Sequence, residues 1–86
     1  MPRKEVTDIA AARLLGQADP QLSGVDRLVL DVIAGWPHIF DLDECLRRGD
    51  ITLDGLCGGI RLPRQYVFAS VARLEDFGYL PMGAIR

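Results

Sequence analysis

The sequence predicts a single domain that is mainly α-helical, and two observations carry this prediction. Apolar residues recur at spacings of three and four along most of the chain, which is the period of a helix that buries one face. Residue types that cap or end helices stand between these apolar runs. The chain has 86 residues, 49% of them hydrophobic and 26% charged, so it suffices for one core and is too apolar for a disordered tail.

The first helix is expected over residues 6–15, because four apolar residues have helical spacing there and Gly16 follows them. These four residues are Val6, Ile9, Ala10 and Leu14. The second helix is expected between a cap at Ser23 and an end at Gly35. Its apolar stripe consists of Val25, Leu28, Val29, Val32 and Ile33. The charged residues between them are expected to face solvent: Asp26, Arg27 and Asp31.

Three further helices complete the prediction. The third covers residues 42–48, where acidic residues stand near the start and arginines at the end. The fourth follows a cap at Thr52 and carries apolar residues up to Ile60. The fifth begins at Pro63, whose missing amide hydrogen is tolerated in a first turn, and ends at Gly78. The expected core is Leu28, Val32, Leu46, Leu56, Ile60, Val67, Val71 and Leu74.

Charge and cysteine content narrow the class of protein. The net charge is −2, so any attraction to nucleic acid must come from a local patch. The start of the chain has no signal-like apolar run and no stretch reaches membrane-spanning length, so we expect a cytoplasmic protein without a membrane partner. Cys45 and Cys57 lie in apolar helical patterns without a CxxC pair, which predicts buried thiols; a disulfide or a redox switch is the alternative.

No residue pattern predicts catalysis. His38 is the single histidine and lies in a loop next to Trp36 and Pro37, where a packing or hydrogen-bonding role is expected. The acidic residues of 41–44 lack the spacing of a calcium loop and are expected to favour the start of a helix instead. Phosphate-loop, nucleophile-elbow and zinc-protease motifs are absent from the sequence. We therefore expect no enzyme activity, no metal and no cofactor.

The segment 52–80 carries a pattern that resembles a known family. The residues that carry it are 52–57 (TLDGLC), 60–64 (IRLPR), Val67, Val71, 73–75 (RLE) and 78–80 (GYL). This pattern resembles the helix-turn-helix core of winged-helix transcription regulators of the cyclic-AMP receptor and MarR families. The resemblance implies a mainly α fold with a winged-helix-like three-helix core, an extra N-terminal helix and a short or vestigial β-wing. It divides one domain, 1–86, into an N-terminal helix and linker (1–20), a helical core (21–80) with the helix-turn-helix at 52–78, and a short wing (79–86).

By the same resemblance, the helix over residues 63–77 would lie in the major groove of double-stranded DNA. The residues offered to DNA would be Arg61, Arg64, Gln65, Tyr66, Phe68, Ala69 and Arg73. Arginine bonds guanine and glutamine bonds adenine through paired hydrogen bonds, so Arg64 and Gln65 are suited to base recognition. The charged residues of 61–73 are all arginines, which predicts a local positive patch in an acidic chain. Arg73 is expected to contact phosphate.

Two functions from different classes remain open. The first is a DNA-binding transcription regulator, dimeric through residues 6–15, because one short recognition helix reads few base pairs. The second is a winged-helix protein-interaction module that uses Tyr66 and Phe68. Acidic net charge, the short wing and the apolar Phe68 and Ala69 favour the second function, whereas the arginines and Gln65 favour the first.

Overall fold

A computed structural model describes residues 8–36 and 42–86, and it contains five helices. They are α1 (Ile9–Ala18), α2 (Gly24–Ala34), α3 (Leu42–Arg48), α4 (Leu53–Gly59) and α5 (Arg64–Asp76). The prediction of a mainly helical chain is confirmed. Val6 and His38 lie outside the described residues, so the expectations for them are not addressed.

Helix α1 packs on α2 through a face that, among the described residues, shares Ile9 with the predicted apolar stripe. Asp8 caps α1 by accepting a hydrogen bond from the Ala11 amide at 2.7 Å. The buried residues of α1 are Ile9, Ala12 and Gly16, whereas Ala10 is exposed and Leu14 is 72% exposed. A Cβ atom on Gly16 would lie 2.5 Å from Leu30 Cδ1, so glycine permits the close approach of α1 to α2. Of the described residues of the predicted stripe, Ile9 is therefore buried within the domain, whereas Ala10 and Leu14 lie at the surface.

Helix α2 begins and ends where the sequence predicts, but it is rotated about its axis relative to the predicted stripe. Ser23 and Asp26 form a capping box, and Gly35 follows the last turn. The buried residues of α2 are Asp26, Val29, Leu30 and Ile33. Leu28 is 43% exposed, so its assignment to the core is wrong, as is the solvent-facing position expected for Asp26. The rotation is tolerated because the buried carboxylate has hydrogen-bond partners, which the sequence spacing does not reveal.

The core is one cluster of buried side chains to which every helix contributes. Six of the eight predicted core residues are buried: Leu46, Leu56, Ile60, Val67, Val71 and Leu74. Val32 is half-buried and packs against this cluster. Helix α2 contacts α1, α4 and α5, and α4 also contacts α5, so α2, α4 and α5 form a mutually packed group of three helices.

The β-wing expected over residues 79–86 is not seen, and the described residues contain no strand. The amides of Tyr79 and Leu80 donate to the Leu74 carbonyl, at 2.8 and 3.2 Å, which closes the end of α5 after Gly78 turns with φ 85°. A turn at 81–84 then leads to a single parallel bridge between Ile51 and Ile85, where the Arg86 amide donates to the Ile51 carbonyl at 3.0 Å.

Candidate functional site

The residues predicted to bind DNA all lie at the surface, on α5 and in the turn that precedes it. All seven side chains are exposed: Arg61, Arg64, Gln65, Tyr66, Phe68, Ala69 and Arg73. Pro63 precedes the first turn of α5, and no side chain caps that turn. The inner face of the same helix buries Val67, Ser70, Val71 and Leu74. Helix α5 is thus anchored along one side and open along the other.

The open side of α5 is divided into a centre and two flanks. Each residue advances about 100° around a helix, so Tyr66 and Phe68 point about 160° apart and lie on opposite flanks. Tyr66 is 52% exposed and Phe68 is 61% exposed. Between them runs the central stripe of the open side, which consists of Gln65, Ala69, Ala72 and Asp76, all exposed. Tyr66 and Phe68 are thus both exposed, but they lie on different flanks of α5.

Arg73 is held by a buried carboxylate of α2. Its Nη2 donates to Asp26 Oδ1 at 2.8 Å, and its Nε lies 3.2 Å from both Asp26 carboxylate oxygens. Ser70 Oγ donates to Asp26 Oδ1 at 2.6 Å, and the Ser23 amide donates to Oδ2 at 3.0 Å. We call this set of four residues the Asp26 network. The network joins α2 to α5 and engages the Nε and Nη2 donors of Arg73.

The Asp26 network keeps its carboxylate ionised. Burial of Asp26 opposes ionisation, but the hydrogen bonds from Arg73, Ser70 and the Ser23 amide outweigh that effect, so the pKa of Asp26 lies below its usual range. The same pair raises the pKa of Arg73 through its hydrogen bond to Asp26. The side chain of Asp26 is 1% exposed and that of Arg73 is 44% exposed, so the ion pair lies at the edge of the core.

Arg64 also has a carboxylate partner, but at the surface. Its Nη1 forms an ion pair with Asp54 Oδ1, which joins the first turn of α5 to the first turn of α4. The two side chains are 61% and 78% exposed. Exposed pairs of this kind contribute about 0–1 kcal/mol, so Arg64 can exchange this partner for another anion. Arg61 forms no ion pair with any residue in the described ranges 8–36 and 42–86.

The fold brings two distant carboxylates, Asp26 and Asp54, to the arginines of residues 61–73. Asp26 and Asp54 pair with two of the arginines, and Glu75 and Asp76 stand at the other end of α5. Four carboxylates thus accompany three guanidinium groups. The local positive patch expected from residues 61–73 is largely neutralised. Asp26, Ser70 and Asp54 are the residues that sequence reasoning missed, and no spacing in the chain signals their contacts across 10 to 47 positions.

Other candidate chemistry is sparse within the described residues. Cys45 and Cys57 are free thiols and both are half-buried, so the expected full burial is only partly met. No group of three or more histidine, cysteine or acidic side chains is placed to hold a metal ion in ranges 8–36 and 42–86. Across the same ranges, none of the helices has the length and apolar character needed to cross a membrane.

Comparison with known proteins gives no assignment for this chain. No family model, no curated protein and no solved structure matches it.

Proposed function

We propose that this chain is a non-enzymatic, cytoplasmic, winged-helix-like domain that binds a protein partner through the open side of α5. The winged-helix part of the proposal is supported by the packing of α2, α4 and α5 and by the short turn between α4 and α5. The bridge between Ile51 and Ile85, immediately before α4, is further support, because it joins the segment after α5 to the segment before α4.

One observation carries the choice of a protein partner: the open side of α5 exposes an aromatic side chain beside small residues, and both arginines of this helix are paired with carboxylates. Phe68 is 61% exposed beside the small residues Ala69 and Ala72. Arg73 and Arg64 are each paired with a carboxylate of the same chain. An exposed aromatic residue beside small side chains is typical of a helix that docks on another protein, whereas affinity for DNA comes mainly from unpaired cations.

A site-specific crosslinking experiment tests this proposal. A photo-reactive phenylalanine analogue placed at position 68 should crosslink to protein in host cells. The same analogue at Gln17, an exposed residue of α1, serves as the matched control and should give little adduct. Adducts to DNA at position 68, or protein adducts of equal yield at both positions, would contradict the proposal.

Binding to double-stranded DNA is the second candidate, and Arg61 favours it because this arginine has no ion pair among the described residues. Gln65 is exposed one turn further on, and Phe68 and Ala69 could contact thymine methyl groups. Fluorescence anisotropy with random-sequence duplexes at two salt concentrations separates the candidates. We expect no binding at physiological salt, since Arg61 and Arg64 alone would release few counterions.

If DNA binds instead, Arg64→Ala should weaken binding by about 1–3 kcal/mol and relax the preference at one base pair. Arg61→Ala should make the salt dependence shallower by about one unit. Arg73 is not suited to this test, because its replacement would break the Asp26 network and change folding together with binding. The dimer contact expected through residues 6–15 stays a prediction: Ile9 is buried within the domain, and Leu14 and Leu15 are exposed there.

A further inference from the structure

The order of charges along α5 is opposite to the order that stabilises an isolated helix. Negative side chains stabilise the N-terminal end of a helix and positive ones the C-terminal end, each by the interaction with the helix dipole. The first turn of α5 contains no acidic residue and begins with Arg64, whereas the last turn carries Arg73 together with Glu75 and Asp76. Contacts within the chain involve most of these charges: Arg64 and Arg73 pair with carboxylates of other helices, and Glu75 accepts a hydrogen bond from the Gly83 amide. Among the described residues, Asp76 forms no ion pair.

An antiparallel second copy of α5 is the partner that this charge order fits. In an antiparallel pair, the N-terminal end of each helix lies beside the C-terminal end of the other. Arg64 would then lie near Asp76 of the second copy, and the opposed helix dipoles would favour the same arrangement. A partner helix of the usual charge order, docked antiparallel, would instead bring acidic groups together at one end and basic groups together at the other.

The residues of the open side also match under a two-fold axis. A two-fold axis outside the open side, level with Ser70 and Val71 along the helix, places Ala69 opposite Ala72 of the second copy, and Gln65 opposite Asp76. The stripe formed by these four residues has spacings of four, three and four, as in the seam of paired helices. The same axis places both copies of Phe68 on one side of the seam, where their exposed rings would cover each other.

We infer that the open side of α5 binds a second copy of this chain, with the two α5 helices antiparallel about a two-fold axis. This inference rests on the proposed function and names its partner. Such a dimer buries one helix face per copy, so a weak association, with a Kd of roughly micromolar order, is expected. It would also cover the face that DNA would need.

Charge exchange at the two ends of the stripe tests the antiparallel register. Sedimentation of the 86-residue chain over a range of concentrations gives the dimer constant. Asp76→Lys puts a cation opposite Gln65 and near Arg64 of the second copy, and Gln65→Glu puts a carboxylate opposite Asp76. Each change alone should weaken the dimer roughly tenfold, because the two-fold axis repeats every contact. The double variant should recover the wild-type constant to within about threefold, since it restores opposite charges.

Two controls keep the inference open to refutation. Phe68→Ser should weaken the dimer, whereas Leu14→Ser, on the exposed face of α1, should leave the dimer constant unchanged. Circular dichroism should show native helix content for all variants, because each changed side chain is exposed. If Asp76→Lys alters the fold, Asp76→Asn replaces it and should weaken the dimer by a smaller factor.

A monomer at every concentration would overturn the inference, as would a dimer that is sensitive to Leu14→Ser but not to Asp76→Lys. Failure of the proposed function is a separate result. A monomeric chain that still crosslinks through position 68 to a different protein overturns only the second copy as partner. A chain that gives no protein adduct at position 68 and binds DNA overturns both.

Discussion

Two arginine–aspartate pairs join α5 to the rest of the domain, and they differ in where the carboxylate lies. Asp26 is fully buried and receives hydrogen bonds from Arg73, Ser70 and the Ser23 amide. Asp54 is exposed and forms an ion pair with Arg64 of α5. The first pair fixes the inner side of α5 to α2, whereas the second spans the surface between α4 and α5.

The difference shows that two arginines of the same helix have different roles, because the carboxylate partner of one is buried and that of the other is exposed. A carboxylate without water depends on its partners, because an unpaired buried charge is costly. Arg73 therefore stabilises the fold by pairing with the buried Asp26. A surface pair loses little when it opens, so Arg64 stays available for an external anion or a second chain. The three arginines of residues 61–73 thus do not form one uniform patch, and only Arg61 and Arg64 remain for recognition.

The largest expected effect is a loss of stability when a charge is placed on the inner side of α5, compared with the same change on its outer side. Val71 is 5% exposed on the inner side, and Ala72, the next residue, is exposed. Val71→Asp would bury an unpaired charge, which costs several kcal/mol against a total stability of about 5–15 kcal/mol, so the domain should unfold. Ala72→Asp should change the free energy of unfolding by less than about 0.5 kcal/mol.

Thermal unfolding followed by circular dichroism compares the two variants directly. The expected result is no cooperative transition for Val71→Asp and a transition near that of the wild type for Ala72→Asp. Equal transitions for both variants would show that the inner and outer sides of α5 are assigned wrongly. Retained cooperativity in Val71→Asp alone would place Val71 outside the core.

The next effect compares the two aspartates. Asp26→Ala removes the partner of Arg73 and Ser70 and one half of the capping box, which should lower the free energy of unfolding by about 3 kcal/mol. The value is near the lower end for a broken buried pair because Arg73 is 44% exposed and regains water. Asp54→Ala should lower it by less than about 1 kcal/mol.

Urea unfolding at neutral pH measures both free energies. A difference of about 2 kcal/mol or more between the two variants supports the contrast between buried and exposed pairs. Equal losses would mean that the Asp26 network is no more important to the fold than the surface pair. Arg73 would then be free for the phosphate contact expected from the sequence.

Helix boundaries and most core positions could be predicted because local chemistry determines them. The caps at Ser23 and Thr52 and the end at Gly35 are where the residue types predict them. Helix α3 has the predicted bounds, and the inner stripe of α5 is buried as expected. In each case the signal lies within a few residues along the chain, so sequence spacing contains the information.

The faces of α1 and α2 could not be predicted, because they depend on contacts between distant residues. In α2, a stripe centred on Val25, Leu28 and Val32 competes with one centred on Val29 and Ile33, and periodicity alone does not decide between them. The buried stripe includes Asp26, which is acceptable only because Ser70 and Arg73 reach it from α5. The candidate site was misjudged for the same reason: the arginines are visible in the sequence, and their carboxylate partners are not.

The smallest effect is the pH dependence of stability, and it isolates Asp26. Its pKa in the folded protein lies below its usual range, which is about 3.9 in an unfolded chain. A group with a lowered folded pKa contributes stability that is fully present above the unfolded pKa and is lost as the pH falls through the folded pKa. The loss should therefore begin below about pH 4 and approach about 1.4 kcal/mol per pH unit at most, since one proton is taken up.

The contribution of Asp26 to the pH dependence of stability can be measured by comparing Asp26→Asn with Asp54→Asn. The free energy of unfolding is determined from neutral pH down to the acid transition for the wild type and for both variants. The difference between wild type and Asp26→Asn should be constant at neutral pH and should shrink below about pH 4, because asparagine cannot take up the proton. Asp54→Asn should follow the wild-type curve in shape, because its exposed carboxylate gains little from its partner. If Asp26→Asn instead keeps the full acid slope, other carboxylates cause the acid sensitivity, and the hydrogen bonds of the Asp26 network do not hold its carboxylate in the charged form.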